Sequence, residues 1–185
     1  MNRQLDWQKV SETEERVGYR WITHKRFRLP NGTEGDFTTV GRHKQQNAAV
    51  IALTPNGKVV VAKQYRPGPE KVLYELPGGM VDAGEVPEEA AKREFLEETG
   101  YAIEGELVFI GHGCRDAYKN EIDSYFIATD CRKTSEQKLE EAECIEVVEI
   151  SVDDLISNAR NGLMSDAAAV LMAYDMLKEI RDGKK

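Results

Sequence analysis

In this chain of 185 residues the side chains best suited to chemistry are Glu94, Glu97 and Glu98. At about 3.6 residues per turn, a helix puts Glu94 and Glu98 on one face with Glu97 beside them. Carboxylates placed this way repel unless a cation lies among them. Oxygen-only donors select a hard ion, and a site open to water and phosphate suits Mg²⁺ better than a closed protein cage. Just upstream, Gly78-Gly79 lets main-chain groups approach such a site closely. Glutamates at this spacing are also common on solvated helix faces, so the helix alone leaves both readings open.

The helix has clear ends. Val86 to Thr99 opens on Pro87, whose missing N–H costs nothing in a first turn. Glu88 and Glu89 complement the positive helix end, and Gly100 suits a left-handed cap. Around it the chain alternates strand-like runs with turns. VGYRWITHKRFRLP and FTTVGR flank Pro30-Asn31-Gly32, and AAVIALT and KVVVAKQYR flank Pro55-Asn56-Gly57, each pair reading as a hairpin. LYELPGG reads as a short strand ending in a Gly-rich turn, and ELVFIG, IDSYFIATD and CIEVVEIS as further strands. Ser151 and Asp154 form a capping-box pattern for a helix to about Arg160, and a last helix is expected over about Asp166 to Arg181, apolar on more than one face. The expected architecture is a mixed sheet with three helices, preceded by an N-terminal antiparallel β extension over 1–45, with the main domain over 46–185.

No apolar run is long enough to span a membrane, and MNRQLDWQKV lacks the apolar core of a signal peptide, so the expected compartment is the cytoplasm. Cys114, Cys131 and Cys144 are spaced too widely for a metal knuckle and read as buried apolar thiols. The net charge of −8 argues against nonspecific nucleic-acid binding, but its distribution is uneven. Residues 1–69 carry 12 basic against 6 acidic side chains, residues 70–104 carry 3 against 10, and residues 136–154 carry 1 against 8. The basic N-terminal third has no nucleic-acid-binding motif with it. The two acidic blocks hold the glutamate helix and the polar loop SEQKLEEAE.

From Gly79 to Tyr101 the chain reads Gly79, five residues, Glu85, seven residues, then Arg93-Glu94-Phe95-Leu96-Glu97-Glu98-Thr99-Gly100. This resembles the Nudix box in every charged and glycine position; Tyr101 stands where the pattern prefers an aliphatic residue. The resemblance implies the Nudix α/β/α sandwich with a mixed sheet and hydrolysis of a nucleoside diphosphate linked to a further group. It also implies a metal site made by Glu94, Glu98, the backbone carbonyl of Gly78 and Glu97, the last directly or through water, holding Mg²⁺ with Mn²⁺ as a substitute. Glu85 and Arg93 are then structural, the arginine fixing the loop against the helix.

Outside the box, KQYRPG and LYELPGG are similar to the ADP-ribose and nucleoside-diphosphate-sugar pyrophosphatases of that family. That likeness implies a nucleotide-sugar substrate of the ADP-ribose or GDP-mannose type, and a homodimer built through the N-terminal strands, with exchange of strands between subunits. It places Arg66 and Glu75 in the substrate cleft and the base that activates water on the loop SEQKLEEAE, with Glu141 first and Glu143 second; Arg115 and Lys119 could contact a phosphate or sugar or lie on the surface. Gln64 and His112 could join the cleft, and Tyr19, Trp21 and Phe27 could stack a base or build an interface or core. The group usually carries a proline beyond the box, whereas this chain has none after Pro87. A dinucleoside polyphosphate or nucleoside triphosphate is the alternative substrate.

Overall fold

The computed structural model describes residues 5–114 and 116–183. The chain divides into two units, and the first comprises Met1–Gln45 with Cys114–Ile122. Strands β1 (Gln8–Val17), β2 (Arg20–Arg28) and β3 (Glu34–Val40) form an antiparallel sheet in that order. The hairpin expected around Asn31-Gly32 is β2–β3. Strand β1 was not foreseen, for a physical reason: QKVSETEERV has almost no buried position, so no apolar alternation marks it. The stretch 116–122 is laced to this sheet, with Val40 donating its N–H to the Tyr118 carbonyl and accepting from Asn120 N–H.

The second unit, Gln46–Gly113 with Asp123–Lys185, is built on a seven-stranded sheet. Its strands are β4 (Gln46–Leu53), β5 (Val59–Arg66), β6 (Lys71–Glu75), β7 (Gly78–Met80), β9 (Leu107–Gly113), β10 (Ile122–Ala128) and β12 (Glu146–Ile150). The order is β12-β5-β4-β10-β9, with β6 also on β5 and β7 on β4. Two three-residue strands, β8 (Tyr101–Ile103) and β11 (Cys131–Lys133), pair with each other. Both were missed, since three residues show no period.

Strand β4 is apolar from Ala48 to Leu53 because both faces of that stretch are covered. Val50 and Ala52 join Val60 and Phe126 under Ala90, Ala91 and Phe95 of helix α1 (Pro87–Thr99). Ile51 and Leu53 pack on the other side with Leu155 of α2 (Val152–Arg160), Val170 of α3 (Ala167–Met172) and Leu177 of α4 (Tyr174–Arg181). The result is an α/β/α sandwich. Phe95 is fully buried beneath the glutamate helix, and its truncation to alanine would cost about 3–5 kcal/mol.

Helix α1 keeps the predicted ends, with Gly100 at φ 74° donating to the Leu96 carbonyl. Helix α2 begins on the expected box, Ser151 Oγ accepting from Asp154 N–H. The final segment differs from expectation, being two helices that meet at Ala173 rather than one. Neither glycine nor proline marks that joint, and α4 buries only Leu177, so the segment is less enclosed than its apolar content suggests. Among the described residues no helix is long and apolar enough to cross a membrane.

Candidate active site

Strand β7 runs beside α1, and this contact places the glutamates. Glu98 is 7% exposed, and its Oε2 accepts the Gly78 N–H at 2.9 Å. Burial pushes its carboxyl up to about 8; the charges of Glu94 and Glu143 add to the shift, while the Gly78 N–H and Arg66 oppose it. Gly78 has a φ of 156°, and a Cβ there would lie 2.1 Å from the Ala48 carbonyl oxygen, so no side chain fits. At Gly79 a Cβ would come within 2.5–2.7 Å of the Glu94 carboxyl group. The two glycines thus let β7 lie flat against two carboxylates. Burial also raises the Glu94 pKa, against the lowering effect of Arg93.

Arg93 is hydrogen-bonded through all three of its nitrogens. Nε and Nη2 donate to the two Glu85 oxygens at 2.9 Å each, Nη2 to the Met80 carbonyl at 3.0 Å, and Nη1 to Glu94 at 2.7 Å and Glu97 at 3.3 Å. Glu85 also accepts the Asp82 N–H at 3.0 Å, and these bonds, Arg93 first, hold its carboxyl below the usual range. The loop after β7 is therefore pinned to the helix by one guanidinium. Glu97 is half-exposed, at the open side of this group.

Before the link from β6 to β7, Arg66 forks the buried carboxylate of Glu75, Nε lying 2.9 Å from both oxygens and Nη2 also donating to Oε2. Gln64 donates to the same carboxylate at 3.0 Å. The Arg66 guanidinium is held above its ordinary pKa chiefly by Glu75, with smaller contributions from Glu98 and Asp166. Arg66 therefore stands within electrostatic reach of the Glu98 carboxylate.

The acidic loop is stitched to the end of α1. Thr134 and Ser135 donate to the Gly100 carbonyl, Lys138 N–H to Glu97 O at 2.7 Å, and Gln137 Nε2 to Glu98 O at 2.7 Å and Ile145 O at 3.3 Å. Gln137 was missed because side chain-to-carbonyl bonds across 39 residues leave no local sequence pattern. Of the two loop candidates, Glu143 is the one whose charge is felt at both Glu94 and Glu98, whereas Glu141 is exposed.

The remaining candidates make other contacts. Arg115 lies outside the described residues. Lys119 pairs with Glu121 at 3.8 Å in the first unit, and His112 meets Ser124 Oγ at 3.2 Å. Tyr19 and Trp21 carry the guanidinium groups of Arg20 and Arg42 over their rings. Phe27 forms a cluster with Trp7 and Phe37 beside a cavity of about 360 Å³ that Lys25 and Lys119 also line. Of the cysteines, Cys131 is buried as expected, with burial raising its thiol to about 12, but Cys114 and Cys144 are exposed.

The chain is similar to several known proteins. A NUDIX domain model matches residues 43–172. The ADP-ribose pyrophosphatase of Bacillus subtilis (strain 168) is 32% identical over 160 residues, covering 85% of each chain. The GDP-mannose pyrophosphatase of Cronobacter sakazakii (strain ATCC BAA-894) is 32% identical over 160 residues, 77% of this chain and 83% of that one. A crystal structure of an ADP compounds hydrolase superposes with a TM-score of 0.75 over 96% of this chain and 97% of that chain at 19% identity, a likeness of fold.

Proposed function

The chain belongs to the Nudix hydrolase family, and on that premise we propose that it cleaves the pyrophosphate bond of a nucleoside diphosphate sugar into a nucleoside monophosphate and a sugar phosphate, with Mg²⁺ held by Glu94 and Glu98. The observation that carries this is the buried Glu98 carboxylate, fixed by the Gly78 N–H and facing the charge of Glu94 with burial disfavouring ionisation of both. Such a pair is costly to ionise alone and suits a hard divalent ion. Among the described residues no three acidic, histidine or cysteine side chains gather closely enough to hold a metal by themselves. An ion held by Glu94 and Glu98, with the Gly78 carbonyl and Glu97, would complete its shell with water and phosphate, as Mg²⁺ commonly does. When bound it would neutralise charge on the pyrophosphate and acidify a water.

The chain's own groups have separable tasks. Glu143 takes the proton from the attacking water; its charge reaches the glutamate pair from a loop anchored on Glu97 and Glu98 main-chain carbonyls. Arg66, braced by Glu75, offers a cation to a phosphate. Arg93 and Glu85 hold the loop after Met80 in place. The two pyrophosphatase relatives support the substrate class, one acting by name on ADP-ribose and the other on GDP-mannose. Residues 1–45 act in dimerisation on this reading, supported by the exposed apolar Val10, Val17 and Tyr19 on and beside β1.

The test is turnover with Mg²⁺ of ADP-ribose, GDP-mannose, ADP-glucose, UDP-glucose, a dinucleoside tetraphosphate and dGTP. Dominant hydrolysis of one of the sugar nucleotides is expected; dominant hydrolysis of dGTP would sink the substrate class. For the base, Glu143→Gln should lower kcat on the order of 10²–10⁴-fold with Glu141→Gln near parent activity. The reverse ranking returns the role to Glu141. Light scattering on the eluting protein reads the assembly, and the mass of a single chain removes the dimer.

A further inference from the structure

The link between β6 and β7 decides where the Gly78 N–H points, and one distant side chain holds that link. Along one edge of β6, Tyr74 N–H donates to the Leu163 carbonyl at 2.9 Å, and Tyr74 forms a parallel bridge with Met164. Two residues on, the N–H on the same edge is that of Leu76, and its acceptor is Asp166 Oδ2 at 3.2 Å. A carboxylate thus continues a ladder that main-chain carbonyls began. Leu76 is the last residue before the glycines able to donate in this way, because Pro77 has no N–H. Val50 N–H then holds the Pro77 carbonyl at 3.1 Å, and Gly78 N–H reaches Glu98 at 2.9 Å.

Asp166 is placed unusually for its residue type. It precedes α3 at the position where aspartate ordinarily caps a helix, yet its side chain makes no cap bond. It is 2% exposed and turned inward, receiving the Ser165 hydroxyl at 3.0 Å as well as the Leu76 amide. A charged acceptor makes a stronger bond to an amide than a neutral one, which suits an anchor at the edge of a turn. Burying a carboxylate for a task a carbonyl could perform is costly. That cost is met where the turn must be held in register with the glutamate helix.

We propose that Asp166 is a positioning residue for the Glu98 carboxylate, acting through the Leu76 amide and the turn to Gly78. The inference rests on the reading of Glu94 and Glu98 as donors to a divalent ion. Removing Asp166 frees the start of the turn, lets the Gly78 N–H drift from Glu98 and leaves the carboxylate poorly aimed.

The test uses the full chain, with Mn²⁺ as probe and its binding followed by electron paramagnetic resonance. Asp166→Ala should weaken Mn²⁺ binding on the order of 10–100-fold, the scale for losing a partner that orients a ligand. Asp166→Asn should recover most of it, since the amide oxygen accepts the same N–H. In the metal-free protein, the Leu76 and Gly78 amide protons should exchange faster in Asp166→Ala and not in Asp166→Asn. If Asp166→Ala does not fold, Asp166→Ser, whose shorter side chain withdraws the acceptor from Leu76 but keeps a polar group in place, is held to the same expectations. A folded Asp166→Ala or Asp166→Ser that binds Mn²⁺ as the parent does overturns the inference, as does an Asp166→Asn no better than alanine. Glu98→Gln is measured alongside. Undiminished binding there overturns the metal reading together with this inference, whereas loss there without loss in the Asp166 variants overturns the inference alone.

Discussion

Two arginine–carboxylate forks flank the link at Leu76–Pro77 and strand β7, Arg66 on Glu75 before them and Arg93 on Glu85 after them, and they are built for different ends. Arg93 spends every nitrogen inside the protein, on Glu85, Glu94, Glu97 and the Met80 carbonyl. It has nothing left to offer a ligand, so its task is to hold. Arg66 directs its Nε and Nη2 to one carboxylate that is 6% exposed, while its own side chain stays 45% exposed. It is braced from behind and open in front. An arginine within reach of a site is therefore sorted by where its donors go, and the two variants should fail in different kinetic constants.

Glu98 accepts the Gly78 N–H and feels the charges of Arg66 and Glu94, and its loss should have the largest effect. Glu98→Gln should lower kcat on the order of 10²–10⁴-fold, the scale of a lost electrostatic term in the transition state, with the circular dichroism unchanged. Full activity at saturating Mg²⁺ would mean that neither fork serves a metal site.

Arg93→Ala comes next. Freeing Glu85, Glu94 and Glu97 together should weaken divalent-ion binding on the order of 10–100-fold, with kcat largely recovered by excess metal. It should also change the acid stability. The Glu85 carboxyl is held below its ordinary value of 4.5 chiefly by Arg93, so its contribution is fully present above that value and disappears as pH falls through the lower, folded-state pKa. The stability gap between parent and Arg93→Ala, followed by urea melts, should be wide at neutral pH and close in acid. A gap independent of pH would show that Arg93 acts by packing rather than by its charge.

The difference between the forks also explains what could be read in advance. Glu85, Arg93, Glu94, Glu97 and Glu98 lie within 14 consecutive residues. Their relation is set by helix periodicity and one short loop, and both are local. The central strands and α1 were legible for the same reason, their apolar patterns being repeated and their turns marked by Asn-Gly or Pro. Asp166 meets Leu76 across 90 residues, and the charge of Glu143 reaches Glu98 from a loop tied to main-chain carbonyls of α1. Nothing in a local window distinguishes such an aspartate from an ordinary cap. Strand β1 escaped because its two faces are alike, and the joint at Ala173 because no residue type announces it.

Arg66 gives the smallest and most discriminating effect. Arg66→Ala on its own mixes two losses, the outward cation and the partner of a buried carboxylate, and the second is a stability defect rather than a kinetic one. Pairing it with Glu75→Gln removes both charges of the buried pair while Gln64 remains beside position 75 to meet the amide. In that double variant the fold should hold. If Arg66 meets a substrate phosphate in ground and transition state alike, KM should rise about tenfold, the worth of one charge-assisted hydrogen bond, with kcat within about twofold of the parent. Lysine at position 66 should not rescue KM fully, since a point charge lacks the planar fork that grips Glu75 with one edge and leaves the other free. Should kcat fall and KM stay constant, Arg66 holds the site as Arg93 does, and the contrast between the two forks collapses into a single structural role.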